Sequence, residues 1–410
     1  MRARSTYGIL AAMVLQLAAH VAHAQSTYVW TGATSGDWNT PTNWTPNGVP
    51  GGTLAQGGNT EDIAEFDSSS RTTITFSASV ELGAVSFAYG PAYTFQVDAF
   101  LQLHHGILNL STTTKNTFIV GTGTLWLDQD GDAANSLITN NHDLDFAGTS
   151  SAGTATITND ASGTIYFANS ATAAQAVIYN SGMIDNSYLT APSSIGAIAD
   201  GPASTLYLGS QTLSIGALNY TQTLEGTLLD GGFEGGTGGA LTKVGSGFLQ
   251  LTGNNTYTGK ITVQEGLLEV DGALASPEVV VMPNATLAGV ADLGTIVAQA
   301  GSFVAPGDFY NPSTSPPNTA LTADALFCAP SPTLETRIGN VGSATKGDYL
   351  ALNSALKSAF CPHVHFLMLS AGLPLTVGDY YLLILVQGTT DWTAGSADFD
   401  FNSFPGYTQA

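Results

Sequence analysis

Three groups of residues in this 410-residue chain have types and spacings that could support chemistry. In "LDQDGDAAN" the carboxylates Asp128, Asp130 and Asp132 alternate. Calcium takes several carboxylate oxygens at about 2.4 Å, and an EF-hand loop supplies them from positions 1, 3 and 5 with Gly at 6. Here Gly131 falls at position 4 and no Glu stands at position 12, so a solvated turn is favoured over a calcium corner. In "FCPHVHF", Cys361, His363 and His365 alternate and so share one strand face. With Cys328 they make a Cys2His2 set, which suits zinc in kind. The cysteines are 33 residues apart, which is no finger spacing. In an oxidising compartment a disulfide is favoured, with free thiols and zinc as the alternatives. In "HDLDF", Asp143 and Asp145 alternate beside His142, a pattern that reads as an exposed strand face. Polysaccharide cleavage on a carboxylate pair calls for clustered Asp with Arg or Lys nearby. None of the few basic residues lies beside an acidic pair in a turn, and no Gly-x-Ser-x-Gly elbow occurs in strand–turn–helix context. No catalytic, cofactor-binding or metal residue is therefore assigned, and no cofactor is implied.

Composition narrows the partners. Only 10% of residues are charged, with 31 acidic against 9 basic, for a net charge of −22. That excludes nucleic acid and anionic lipid as partners, since both require clustered Lys or Arg. Arg2 and Arg4, the apolar run "GILAAMVLQLAA" and the small-residue site Ala22-His23-Ala24 compose a secretory signal peptide, residues 1–24, with cleavage after Ala24. The run is too short for a stable membrane span.

The elements that must position any site are strands. Gly and Pro punctuate runs of three to six Val, Ile, Leu, Thr and Phe, and no stretch holds a 3.6-residue apolar period. The runs recur. The isoleucine before an Asn-containing turn falls at Ile138, Ile157 and Ile178, with a weaker echo at Ile198. Further on, Leu249, Leu268 and Leu287 are evenly spaced. An interval near 20 residues is that of a solenoid, one coil per repeat. A coil cannot bury its apolar face alone, but stacked coils can, through parallel strands about 4.8 Å apart. Over Phe100 to Gly307 this predicts about ten coils.

In "LQLTGNNTYTGKITVQEGLLEV" alternation places Leu249, Leu251, Ile261, Val263, Leu268 and Val270 inward, and Gln250, Thr262 and Glu269 toward water. The knot between the strands reads as a corner. Gly253, Asn255, Gly259 and Gly266 are expected there for positive φ, and Tyr257 as a packing residue. Asn at equivalent corners can stack its amides into a hydrogen-bonded ladder.

The stretch Gly239 to Leu274 resembles the autotransporter-associated beta strand repeat. The residues that carry the likeness are Lys243, Gly245, Gly247, Leu249, Leu251, Gly253, Asn255, Tyr257, Gly259, Thr262, Val263, Gly266 and Leu268. Its usual follow-on is present as Ala305-Pro306-Gly307. Trp30, Trp38, Asn43, Trp44, Pro50 and Phe66 resemble the Trp-rich module that precedes such repeats, and "GDYYLLILVQG" a late strand of these passengers. The resemblance implies an all-β chain, a right-handed parallel β-helix with a Trp-rich N-terminal cap and a less regular β C-terminal region. The expected divisions are a signal peptide at 1–24, the cap and first strands at 25–99, the β-helix at 100–310 with the repeat at 239–274, and the C-terminal region at 311–410.

The resemblance further implies type V secretion to the surface or exterior of a Gram-negative bacterium. Family members commonly continue into an outer-membrane barrel of alternating strands. No such series precedes Ala410, so a separate or missing translocator is expected and outer-membrane attachment stays open. The leading functional expectation is a non-enzymatic, adhesin-like or structural module facing a host surface, matrix or glycan. The alternatives are a carbohydrate-active enzyme on the same fold and a truncated autotransporter fragment.

Overall fold

The computed structural model describes residues 25–51 and 60–307, together with the strands Ala320–Cys328, Thr333–Ile338, Tyr349–Lys357, His363–Met368, Ile384–Val386, Thr389–Thr390 and Asp398–Asp400. Beyond 307, side chains are described for 321–327. Successive strands alternate between sheets and pair with the strand one coil on. The first sheet has 11 strands and ends at Thr227–Leu229; the second has 16; the third has 8 and begins at Gln222–Leu224. Every named strand pairing is parallel except that of Thr27–Trp30 with Trp44–Thr45. Among the described residues the one helical turn is Pro41–Asn43. The protein is a parallel β-helix, and ten strands of the second sheet, one per coil, fall between residues 100 and 307.

The recurrences in the sequence are the vertical register. Ile138 pairs with Ile157, Ile157 with Ile178, and Ile178 with Ile198. Leu249 pairs with Leu268, and Leu268 with Leu287. The parallel ladders begin upstream of these coils, at Thr27–Trp30 on Ile63–Phe66, and run on without interruption through residue 100. The strands beyond 311 extend the second and third sheets in the same sense.

Leu249, Leu251, Ile261, Val263, Leu268 and Val270 are all wholly buried, each worth about 1.5–3 kcal/mol of transfer free energy. Two expectations need correction. Glu269 alternates away from the leucine column, yet it is wholly buried, so the outer side of the third sheet is covered there. At the corner only Gly266 has positive φ, at 71°. Gly253 and Gly259 are needed for a different reason: a Cβ would lie 1.7 Å from the carbonyl of Gly226 and 2.3 Å from that of Gly239, on the preceding coil. Asn255 is buried in an extended path, accepting from the Leu228 amide at 3.1 Å and donating to the Gly253 carbonyl at 3.1 Å. Tyr257 is a wholly buried packing residue.

The N-terminal end is closed by aromatic packing. Trp30, Trp38 and Trp44 meet edge to face, with ring centroids 4.9 and 4.6 Å apart about Trp44, and all three contact Phe66. Each indole N–H is satisfied by a backbone carbonyl, those of Arg71, Pro50 and Trp38. Asn43, wholly buried, ties the loop by accepting from the amides of Thr34 and Ser35 and donating to the Asp37 carbonyl. A terminal coil has a neighbour on one side alone, so a cap that hides its core is what the solenoid requires.

Candidate functional site

Among the described residues the densest ionisable grouping lies on the first sheet, where Leu101–Asn109 stacks between Val80–Phe87 and Thr124–Leu127. The register shifts between Leu82 and Ala84, placing His104 and His105 at the irregularity. Each imidazole is held between two carboxylates, one from an earlier coil and one from the coil after. His104 contacts Glu81 at 3.2 Å through Nε2 and Asp128 at 2.7 Å through Nδ1. His105 contacts Glu61 at 3.2 Å and Asp130 at 2.5 Å in the same arrangement. Gln102 Nε2 donates to the second oxygen of Asp128 at 2.8 Å.

Burial alone would lower the His104 pKa, but the hydrogen bonds to Asp128 and Glu81 outweigh it and hold the ring at about 10. Its bond with Asp130 raises His105, against partial burial, with Glu61 adding to the rise; Asp130 is lowered by the same bond. A protonated imidazole with both N–H groups engaged has no lone pair to offer, so His104 is no general base at neutral pH. The arrangement is a charged clamp across coils.

This relocates the alternating aspartates. They do not converge on a cation: Gln129 and Asp130 form an exposed turn as expected, while Asp128 is buried on His104, Asp130 reaches His105, and Asp132 accepts from the Ala134 amide. Among the described residues no group of three or more His, Cys, Asp or Glu is arranged to hold a metal. The histidines were not legible as site residues, although the doublet "HH" precedes Asp128 and Asp130 by about one coil. The expected grouping of Cys328, Cys361, His363 and His365 lies outside the described residues, except for strand backbone. That backbone places Cys328 opposite Ala298, and His363 and His365 opposite Thr333 and Glu335.

His142 and Asp143 do meet, at 3.2 Å on a partly exposed edge. Asp145 departs from the expected exposed face. Its Oδ1 is sealed without a hydrogen-bond partner, and burial, with Asp143 adding, raises its pKa well above the carboxylate range. Within the repeat, Lys243 points into the core column between Ile215 and Val263. Its Nζ donates to the carbonyls of Val244, Gly245 and Glu265 at 2.9, 2.6 and 3.2 Å, and burial lowers its pKa to about 8 against the opposing charge of Glu265.

Comparison with known proteins bears on this part of the chain. A family model described as passenger-associated-transport-repeat matches residues 241–270. An extracellular serine protease of Serratia marcescens is 44% identical over 70 residues, 17% of this chain and 7% of that protein. The BmaC autotransporter adhesin of Brucella suis biovar 1 (strain 1330) is 32% identical over 112 residues, 26% of this chain and 3% of that protein. The chain thus spans a small fraction of the length of the curated relatives it matches.

Proposed function

We propose that this chain, a β-helix carrying the repeat of autotransporter passengers, is an exported, non-enzymatic, adhesin-like module of the cell surface or exterior. The observation that carries the reading is the repeat itself. Residues 241–270 lie in register within the coils, their leucines and valines forming one core column with the strands on either side. Such a passenger presents a long, sparsely charged, Thr- and Asn-rich surface with few loops for proteases to enter. The adhesin among its relatives supports the adhesive part.

The test is fractionation of a Gram-negative host expressing the full chain, followed by N-terminal sequencing. A mature chain starting at Gln25 outside the cytoplasm is expected; a cytoplasmic chain retaining residues 1–24 would overturn the reading. The serine protease relative favours a second reading, hydrolysis. Among the described residues no serine hydroxyl is hydrogen-bonded to a histidine, which favours the first. Labelling of the purified protein by a fluorophosphonate would support the second.

A further inference from the structure

The outer side of the first sheet carries a row of residues running along the solenoid axis. Register places Gln102 on Trp126, Trp126 on Asp145, Asp145 on Tyr166, Tyr166 on Asp185 and Asp185 on Tyr207. The strand residues that alternate with them, among them Leu125, Leu144, Ile165, Ile184 and Leu206, are wholly buried, so the row faces away from the core. Aromatic rings occupy every second coil, about 9.6 Å apart, with carboxyl groups between them. Trp126, Asp145, Tyr166 and Tyr207 are partly buried, each keeping some surface in solvent.

A glycine-rich strap, residues 230–239, crosses this row. The Phe233 amide donates to Asp185 Oδ2 at 2.9 Å, and the Glu234 amide to Ser187 Oγ at 3.0 Å. Gly232, with φ of 111°, allows the approach, since a Cβ there would lie 2.4 Å from Asp185 Oδ1. The strap holds the Phe233 ring 5.8 Å from Tyr166 while leaving it 59% exposed. Tyr188 flanks Tyr166 on the same face at 6.3 Å.

Beside these rings stand an unmet donor and an unmet acceptor on neighbouring coils. Trp126 Nε1 and Asp145 Oδ1 have no hydrogen-bond partner. Native folds leave few such groups, and each calls for an explanation. Hydroxyl groups can satisfy each, accepting from the indole and donating to the carboxyl. Both atoms are sealed as they stand, so binding turns the Asp145 carboxyl and the Trp126 indole outward about their soft terminal torsions.

We propose that this row binds a neutral polysaccharide lying along the solenoid axis, its rings against Trp126, Tyr166 and Phe233 and its hydroxyls on Trp126 Nε1 and Asp145. The proposal rests on the adhesin-like reading and names a ligand class for it. Anionic polymers are disfavoured by the net charge of −22 and by Asp143 and Glu234 nearby. A cationic peptide finds no free anion in the row itself. Both oxygens of Asp185 accept backbone N–H groups, and Asp145 is held toward its neutral form.

The test is native affinity electrophoresis of the purified full chain through gels containing β-glucan, xyloglucan or galactomannan, with polygalacturonate and oligolysine for contrast. Retardation by at least one neutral polymer is expected, and by neither charged one. Trp126→Phe, which removes the donor and keeps a ring, and Phe233→Ala, which changes an exposed side chain, should each weaken retention roughly tenfold. Tyr179→Ala, on an exposed tyrosine of the second sheet, should behave as wild type. Absence of retardation by every neutral polymer would overturn the proposal, as would preference for a charged one, or row variants matching Tyr179→Ala. Purified protein is used, so failure here leaves the export test untouched, and a cytoplasmic chain that still binds would defeat the export reading alone.

Discussion

The N-terminal coils and the repeat coils solve the same problem with different materials. From residue 27 to about 230 the coil is built on the first and second sheets, and from about 222 onward on the second and third. The early coils are wide enough for stacked rings: Phe95 on Phe118 at 4.6 Å and Phe146 on Phe167 at 5.2 Å, both nearly parallel. They also hold polar ladders inside. Asn140 Nδ2 donates to Asn159 Oδ1 at 2.8 Å, and Asn159 Nδ2 to Asn180 Oδ1 at 2.8 Å, with all three residues buried. The repeat coils rely mainly on Leu and Val, and Lys243, which enters their core column, is caged by carbonyls. The lesson is that a coil's core may be polar where the coils above and below supply matching partners, which pair most of its groups and leave Asn180 Nδ2, at the end of the ladder, without one.

The contrast can be broken most sharply at Leu251. Leu251→Asp buries an unpaired charge among repeat leucines and should cost at least about 5 kcal/mol, measured as the shift in a denaturant midpoint. Trp38→Ala opens the aromatic cap and should cost about 3–5 kcal/mol. Its effect should concentrate in early amide exchange of residues 25–127 rather than of the repeat.

Next come the two buried cations, which oppose each other in pH. The His104 pKa is raised from 6.5 to about 10, so its stabilisation is full below about pH 6.5 and is lost as pH climbs through 10. The Lys243 pKa is lowered from 10.5 to about 8, so between those values the unfolded chain binds more protons and the repeat gains stability as pH rises. Regional amide exchange between pH 8 and 10, corrected for intrinsic rate, should show early coils loosening while residues 241–270 tighten. His104→Leu should abolish the first trend, at a cost of about 2–3 kcal/mol near neutrality from the orphaned carboxylates, and Lys243→Met the second. Parallel trends in both regions would refute the assignment.

The amide ladder sharpens the comparison at smaller scale. Asn159→Ala leaves Asn140 and Asn180 each short of a partner and should cost about 1–2 kcal/mol by thermal unfolding. Gln250→Ala, on an outward position of the repeat, should stay within about 0.5 kcal/mol; a cost equal to that of a core residue would mean that the alternation is assigned to the wrong faces.

Much of the fold was legible because its cause is local. Alternation told Leu251 from Gln250, and the recurrence of Ile138, Ile157 and Ile178 is the register itself. The exceptions share a cause. Glu269 follows the alternation but lies under other chain, and Gly253 and Gly259 respond to a carbonyl on another coil rather than to their own φ. The candidate site was less legible still. Asp128 and Asp130 stood out as a possible calcium corner, and the histidines that claim them did not.

By itself the sequence determined the coil, its interval near 20 residues, the inward columns and the aromatic supply for a cap, because strand alternation and turn chemistry act within a few residues. Only the tertiary structure decided which side chains meet between coils. Coil length varies: Leu213 pairs with Leu241, an interval of 28, but Val279 with Ile296, an interval of 17. Contacts across about 4.8 Å of stacking therefore depend on the summed lengths of intervening turns and on bulges such as the one at His104 and His105. The clamps on those histidines and the row from Trp126 to Tyr207 are products of that summation, which no local pattern encodes.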